Sequence, residues 1–196
     1  MTTLKAEKRT LDIKAKKLRR EGYVTGNVFG REMKASVPVK MEKAAAERLL
    51  KTCRKGSQLM LDLEGETLDV LIKDIEFNPV KGQIDEIDFQ ALVSNEKVHS
   101  VAEVYLLNHD KVAAGVVQQK LHEIAFKALP SALVEKVEID VGDMKVGDTI
   151  KVRDLAIAKD KDVDLMTDLD ADVVTVFEVH AAPAEASEET EEKAEA

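Results

Sequence analysis

The chain of 196 residues has one cysteine, no tryptophan and few aromatic residues of any kind. With Cys53 alone, no disulfide can form within the chain, which suits a reducing compartment such as the cytoplasm. No apolar run approaches the ~18 residues needed to cross a membrane. The N-terminus, MTTLKAEKRT, lacks the apolar stretch of a secretory signal. These absences predict a cytoplasmic protein that has no contact with membranes.

The sequence also lacks the motifs that carry most enzyme chemistry. It contains no GxxxxGK[ST] loop, no GxGxxG, no CxxC and no HExxH. The histidines are scattered through the second half without ligand-like spacing: His99, His109, His122 and His180. The basic first half has no histidine, so no Ser/His/Asp or Cys/His triad can be proposed. The sequence therefore predicts a protein that is not an enzyme and has no metal, cofactor or small-molecule substrate.

Two residue groups have a chemical interpretation beside a structural one. Cys53, next to Arg54 and Lys55, is either a reactive thiol or an unreactive structural cysteine, and the second is favoured. Asp85, Glu86 and Asp88 are either paired carboxylates for hydrolysis or an exposed acidic strand face, and again the second is favoured. The strand period of two predicts that Asp85 points away from the other two carboxylates.

Charge is distributed unevenly along the chain, whose net charge is −9. Residues 1–55 hold 16 Lys and Arg against 6 Asp and Glu, whereas residues 92–196 hold 11 against 23. A basic end joined to an acidic end predicts a nucleic acid or another anion as partner of the basic end. Because the whole chain is acidic, the attraction must come from a local patch. A solvated surface with no partner is the alternative.

Hydrophobic patterning predicts a mainly β protein whose first domain covers residues 1–92. The apolar alternation favours a small, mostly antiparallel barrel. Its predicted strands cover residues 4–10, 23–29, 37–39, 57–63, 67–77 and 83–92. Met41–Arg54 is predicted to be a helix, because apolar residues recur there at helical spacing. The segment 14–21 (KAKKLRRE) is predicted to be a basic turn or short helix in which only Leu18 requires burial.

A second, β-rich domain is predicted over residues 95–181. Its expected strands cover residues 98–107, 133–141, 149–155 and 173–179, whereas residues 115–129 fit either a helix or strands. The remaining residues, 182–196, are rich in Glu and Ala and have no apolar periodicity. They are predicted to be a disordered acidic tail.

Two stretches resemble a known family. Residues 14–30 read KAKKLRREGYVTGNVFG and residues 74–89 read DIEFNPVKGQIDEIDF. Their order and spacing resemble the bacterial large-subunit ribosomal protein L twenty-five, which binds 5S ribosomal RNA. The second half, with AAGVVQQKLHEI and EIDVGDMKVGDTIKVRDL, is similar to the longer two-domain form known as general stress protein Ctc. The resemblance implies a six-stranded N-terminal β-barrel with flanking helices and a β-rich C-terminal domain.

The resemblance also implies partners and a binding surface. It implies contact with the minor groove of a non-Watson–Crick helix in 5S ribosomal RNA, within the large ribosomal subunit and beside neighbouring ribosomal proteins. Such a groove is wide and shallow and is read through 2′-hydroxyls, phosphates and shape. The predicted RNA-binding residues are Arg9, Lys14, Lys16, Lys17, Arg19, Arg20, Phe29, Glu76, Glu86 and Asp88. Since Leu18 alone requires burial, we expect the fold to depend little on Lys16, Lys17 and Arg19.

Four positions depart from the family's motifs. Thr25 replaces a proline, Phe29 an aromatic hydroxyl, Glu76 a glutamine and Glu86 a histidine. A carboxylate is repelled by phosphate unless it accepts a hydrogen bond from an amino or hydroxyl group. Two functions are therefore considered: an RNA-binding structural constituent of the large subunit, and a divergent paralogue that acts as a stress or protein-interaction factor with weakened RNA binding.

Overall fold

The computed structural model describes residues 2–112 and 115–178. The predicted disordered tail, residues 182–196, and His180 lie outside the described residues. The predicted fold class is confirmed, because a closed six-stranded barrel is followed by two further β-sheets. Among the described residues, no helix has the length and apolar character that a bilayer span requires.

The barrel is built from the first six strands, in the order β1-β3-β2-β6-β5-β4. The strands are β1 (Thr3–Lys8), β2 (Tyr23–Phe29), β3 (Val37–Glu42), β4 (Gln58–Leu63), β5 (Glu66–Asn78) and β6 (Gln83–Ala91). Alternate residues of each strand point inward, as the sequence pattern requires. Val24, Leu61, Ile72 and Phe89 are almost wholly buried there. The opposite faces of the same strands are thereby left for polar side chains.

Two short helices flank the barrel: α1 (Ala15–Arg20) and α2 (Lys43–Leu49). Helix α1 lies in the crossover between β1 and β2 and buries Leu18, as predicted. The prediction of a helix over Met41–Arg54 is too long. Met41 lies in β3 with its side chain in the barrel core, and Glu42, the extended last residue of β3, occupies the N-cap position of α2. The apolar spacing of 41, 45, 49 and 53 therefore combines strand, helix and turn residues that pack on one core.

The second half contains two sheets, with strand orders β10-β7-β9-β12 and β11-β13-β8. Their strands are β7 (Val98–Leu107), β8 (Val116–Gln119), β9 (Glu123–Ala128), β10 (Lys136–Asp140), β11 (Thr149–Lys151), β12 (Val163–Leu165) and β13 (Asp172–Phe177). Residues 115–129, which fitted either a helix or strands, form β8 and β9. The three-residue strand β12 was not predicted, because only Val163 and Leu165 mark its alternation.

Each half has its own hydrophobic cluster, one formed by residues between 4 and 89 and one by residues between 102 and 174. The turn before β4 meets β7 closely: a Cβ on Gly56 would lie 2.1 Å from the carbonyl oxygen of Val101. Arg54 Nε lies 3.5 Å from Glu103 Oε2, and Lys73 Nζ donates to the His99 carbonyl at 2.9 Å. Backbone approach and polar contacts thus connect the two halves.

Candidate nucleic-acid interface

The polar outer face of the barrel lies on β2, β6 and β5. Two rows of residues cross these strands, each in direct register. One row is Thr25, Glu86 and Glu76, and the other is Asn27, Asp88 and Asp74. We call the four acidic residues of these rows, Asp74, Glu76, Glu86 and Asp88, the carboxylate face. Like charges directly opposite on neighbouring strands are unfavourable, so this face carries a structural cost.

A bulge in β6 places Asp85 differently from the sequence prediction. Glu86 pairs with Glu76 but Ile84 pairs with Phe77, so Asp85 is an extra residue in the ladder. Ile84 and Ile87 both point into the core, although they are three residues apart. The prediction that Asp85 points away from Glu86 is therefore wrong, since both carboxylates approach Arg19. The sequence contained the signal, because a spacing of three between buried residues breaks the period of two.

Arg19 ties α1 to this bulge. Its Nε donates to the backbone carbonyl of Asp85 at 3.0 Å and lies 3.8 Å from that residue's carboxylate. Its Nη2 lies 3.9 Å from Glu86 Oε2. The side chain is 26% exposed, so it is partly removed from solvent. These contacts connect α1 to the strand face, so we expect the fold to depend more on Arg19 than the sequence suggested.

Arg9 is anchored in a similar way just beyond β1. One of its terminal nitrogens donates to the Ile13 carbonyl at 3.1 Å, which closes the loop between β1 and α1. Its Nε is buried and has no hydrogen-bond partner among the described residues. Arg9 therefore organises the segment that carries the predicted cations, and its Nε is shielded from any external ligand.

The remaining cations of α1 and its N-terminal flank are free. Lys14, Lys16 and Arg20 are exposed and form no side-chain ion pair or hydrogen bond within the described part of the chain. Lys17 is exposed as well and makes only a long contact of 3.9 Å with Glu21, one helical turn on. Exposed ion pairs of this kind contribute little. These four residues form what we call the free cation group, which is available to phosphates.

Asn27, which sequence reasoning missed, connects two residues of the carboxylate face. Its side-chain Nδ2 donates to Glu86 Oε1 at 3.1 Å and to Asp88 Oδ1 at 3.2 Å. Its backbone N–H also donates to Asp88 Oδ1, at 3.1 Å. The sequence contained a hint, since Asn27 stands two positions from Thr25 and thus on the same strand face.

The pKa values of the two carboxyl groups beside Arg19 are shifted in opposite directions. Burial, followed by the charges of Asp88 and Glu76, raises the pKa of Glu86. Hydrogen bonds from Asn78 and Gln83, assisted by the charge of Arg19, lower the pKa of Asp85. Asp85 is thus stabilised as an anion that contacts Arg19. The ionised form of Glu86 is disfavoured by burial and by the neighbouring carboxylates.

Phe29 lies apart from the other predicted residues. It ends β2, half-buried and paired with Gln90 on β6. The structure thus brings together five of the predicted residues: Arg9, Arg19, Glu76, Glu86 and Asp88. The free cation group lies beside them, whereas Phe29 lies at the far end of β2.

Cys53 is buried and unpaired. No group of three or more potential metal ligands occurs among the described residues.

Comparisons with known proteins match both halves of the chain. The Ribosomal L25p family matches residues 4–89, and the family described as Ribosomal protein TL5, C-terminal domain, matches residues 97–180. A large ribosomal subunit protein bL25 of Caldanaerobacter subterraneus is 29% identical over 98% of this chain and 96% of its own. A protein of the same name from Burkholderia ambifaria is 31% identical over 81% of this chain and 80% of its own. Another, from Dictyoglomus thermophilum, is 30% identical over 89% of this chain and 87% of its own.

Proposed function

Because this chain belongs to the ribosomal L25p family, in its two-domain form, we propose that it is a structural constituent of the large ribosomal subunit that binds 5S ribosomal RNA. It acts by binding and catalyses no reaction. Its place of action is the ribosome in the cytoplasm, where neighbouring ribosomal proteins are further partners. The names of the relatives support the assignment to the large ribosomal subunit. The surface of the barrel supports RNA as the partner.

The observation that carries the RNA proposal is the attachment of a cationic helix to a polar strand face. Arg19 contacts Asp85 and Glu86 on β6, so the free cations of the same short helix flank the carboxylate face. Cations on one side neutralise phosphates, and polar strand residues contact sugar and base groups in a shallow groove. The surface thus combines cations for the phosphates with polar groups for the sugars and bases of a structured RNA.

The domain boundaries belong to the same proposal. Residues 1–92 form the RNA-binding domain and residues 95–181 a second domain. The separate hydrophobic clusters of the two halves support this division. The first 55 residues carry ten more cationic than acidic side chains, so the first domain supplies the affinity for RNA.

The test is a gel shift of the full chain with 5S ribosomal RNA, compared with an unrelated structured RNA of equal length, at two salt concentrations. We expect preferential binding to 5S RNA, with affinity falling as salt rises because bound phosphates release counterions. Equal affinity for both RNAs would contradict the proposal. Failure to bind either RNA would instead support a paralogue that kept the fold and lost the RNA surface.

A further inference from the structure

The junction between the two halves of the chain contains a cavity of about 300 Å³. The first half contributes residues 55–56 and 71–74 to its wall, and the second contributes residues 99–101. Part of this wall is an open strand edge. On one side β7 pairs with β9 from Val98 to Glu103, whereas on its other side it pairs with β10 only from Glu103 onward. On that second side, the backbone groups before Glu103 face the first half instead of another strand.

Strand alternation determines which backbone groups lie at this edge. The Val104 N–H donates to the His122 carbonyl at 2.9 Å, on the side of β9. The Glu103 N–H donates to the Glu135 carbonyl at 3.2 Å, on the side of β10. Successive residues of a strand direct their backbone groups to opposite sides, so the backbone groups of Val101 point in the same direction as those of Glu103. The Val101 N–H is therefore a hydrogen-bond donor at the junction, where no strand pairs with it.

The side chain of Ser100 supplies a second donor. Ser100 is 5% exposed, and its buried Oγ has no hydrogen-bond partner among the described residues. A Cβ added to Gly56 would lie 3.1 Å from this Oγ, so the hydroxyl lies against the first half. Buried polar groups of native proteins are nearly always hydrogen-bonded. The unpartnered hydroxyl therefore indicates that a further group binds in the cavity.

Lys73 supplies a third donor and a positive charge. Its Nζ donates to the His99 carbonyl at 2.9 Å, and it forms no ion pair with any described carboxylate. Lys55 Nζ lies 3.4 Å from Asp74 Oδ1 and 3.9 Å from Glu123 Oε2. Burial lowers the pKa of Lys73, and the charge of Lys55 lowers this pKa by more than Asp74 raises it. A partly buried ammonium without a counter-ion is unfavourable, so the surroundings of Lys73 favour an anion.

We propose that this cavity binds one phosphate group, held by the Lys73 ammonium, the Ser100 hydroxyl and the Val101 N–H. Phosphate oxygens accept hydrogen bonds, and all three of these groups donate them. Lys73 belongs to the first half, whereas Ser100 and Val101 belong to the second, so the bound phosphate connects the two halves. The phosphate is either a free ion or part of an RNA backbone. This inference does not rest on the proposed function, because the chain can be tested with phosphate alone.

The test is a titration of the ¹⁵N-labelled full chain with inorganic phosphate, followed by two-dimensional NMR at an ionic strength kept constant with potassium chloride. We expect the amide signals of Ser100 and Val101 to shift and to saturate with a single dissociation constant. Lys73→Gln should weaken this binding at least about 10-fold, because it removes a charged donor. Ser100→Ala should weaken it about 2- to 10-fold, the range for one neutral hydrogen bond.

The variants are chosen so that each should still fold. Ser100→Ala removes a hydroxyl without a partner, so the thermal midpoint in the absence of phosphate should not fall. Lys73→Gln keeps an amide donor for the His99 carbonyl. The matched control is Lys51→Gln, which removes the same charge from an exposed position just beyond α2. The control should leave the dissociation constant for phosphate unchanged.

Binding of 5S RNA distinguishes the two sources of phosphate. If the RNA supplies it, Lys73→Gln should lower the slope of log affinity against log salt by roughly 0.7–0.9, and free phosphate should compete with the RNA. If free phosphate is the ligand, the slope should not change, and phosphate should still shift the two amide signals of the RNA-bound chain. Both results support the phosphate site.

Other outcomes overturn this inference and leave the proposed function standing. Shifts that grow linearly with phosphate, or that chloride reproduces, would show that the cavity has no specific site. Equal affinity for phosphate in the unmodified chain, Lys73→Gln and Ser100→Ala would exclude these residues as ligands. A chain that binds phosphate here but does not bind 5S RNA overturns the proposed function alone.

Discussion

The free cation group offers a quantitative test of the proposed RNA binding. Replacing Lys14, Lys16 and Arg20 by Gln removes three exposed cations that have no side-chain partner in the described structure. Each lost phosphate contact lowers the slope of log affinity against log salt by roughly 0.7–0.9, so the slope should fall by about 2–3. Over a fourfold salt range, from about 50 to 200 mM, the unmodified chain should lose roughly 20- to 40-fold more affinity than the variant.

The assay is filter binding or fluorescence anisotropy with 5S ribosomal RNA over that salt range. The control replaces Lys145, Lys159 and Lys161 by Gln, which removes the same charge from exposed positions in the second half. The free energy of unfolding of both variants should stay within about 0.5 kcal/mol of the unmodified value, as for most surface changes. An unchanged salt slope in the first variant, or an equal fall in the control, would refute the role of this group.

Four further changes test the barrel face and the C-terminal segment. Arg19→Gln should lower the free energy of unfolding without RNA by about 1–3 kcal/mol in urea titration, because it removes a charged donor to Asp85; no loss would contradict its anchoring role. Glu86→Gln should raise the free energy of unfolding by roughly 0.2–1 kcal/mol at pH 7, since the substitution removes the like-charge pair with Glu76. The pKa of Glu86 is raised, so the unmodified chain should gain stability as pH falls through that pKa, and the advantage of the variant should shrink; an advantage that grows on acidification would refute the reasoning. Gly26→Ala should cost at least about 1–3 kcal/mol, because the added Cβ would lie 2.0 Å from the Ile87 carbonyl oxygen; a neutral effect would show that β2 and β6 can separate. Deleting residues 182–196, which are rich in Glu and Ala, should leave the thermal midpoint nearly unchanged in calorimetry, and a fall of several degrees would show that the segment docks.

The strands of the barrel could be predicted from the sequence because their inner faces alternate with few interruptions. Tyr23–Phe29 in the barrel was predicted with the bounds that the structure gives it, and so was Val98–Leu107 in the second half. The helix prediction failed at its ends, because Met41 and Cys53 reach the same core from a strand and a turn. Periodicity records which residues are buried, and it does not distinguish the backbone conformations that bury them.

The candidate RNA-binding surface could be predicted from the sequence only in part, for a related reason. Charge and spacing identified the basic segment around α1, but a sequence does not show which cations the protein itself neutralises. Arg9 and Arg19 look equivalent to Lys16 and Arg20 in the printed sequence, yet they are held by the Ile13 carbonyl and by the β6 bulge. The Arg19 contact joins residues 66 positions apart, about which local patterns contain no information. The Arg9 contact spans only four residues, but it depends on the conformation of the loop between them, which charge and spacing do not specify.

The bulge at Asp85 makes the strongly acidic strand face compatible with the proposed RNA partner. Without the extra residue, Asp85 would point to the face opposite Glu86, and Arg19 could not contact both. With it, Arg19 bridges them, and α1 is held where its free lysines offset the charge of the carboxylate face. The acidic residues at positions 76 and 86 are thus compatible with RNA binding because the same fold that exposes them fixes cations beside them.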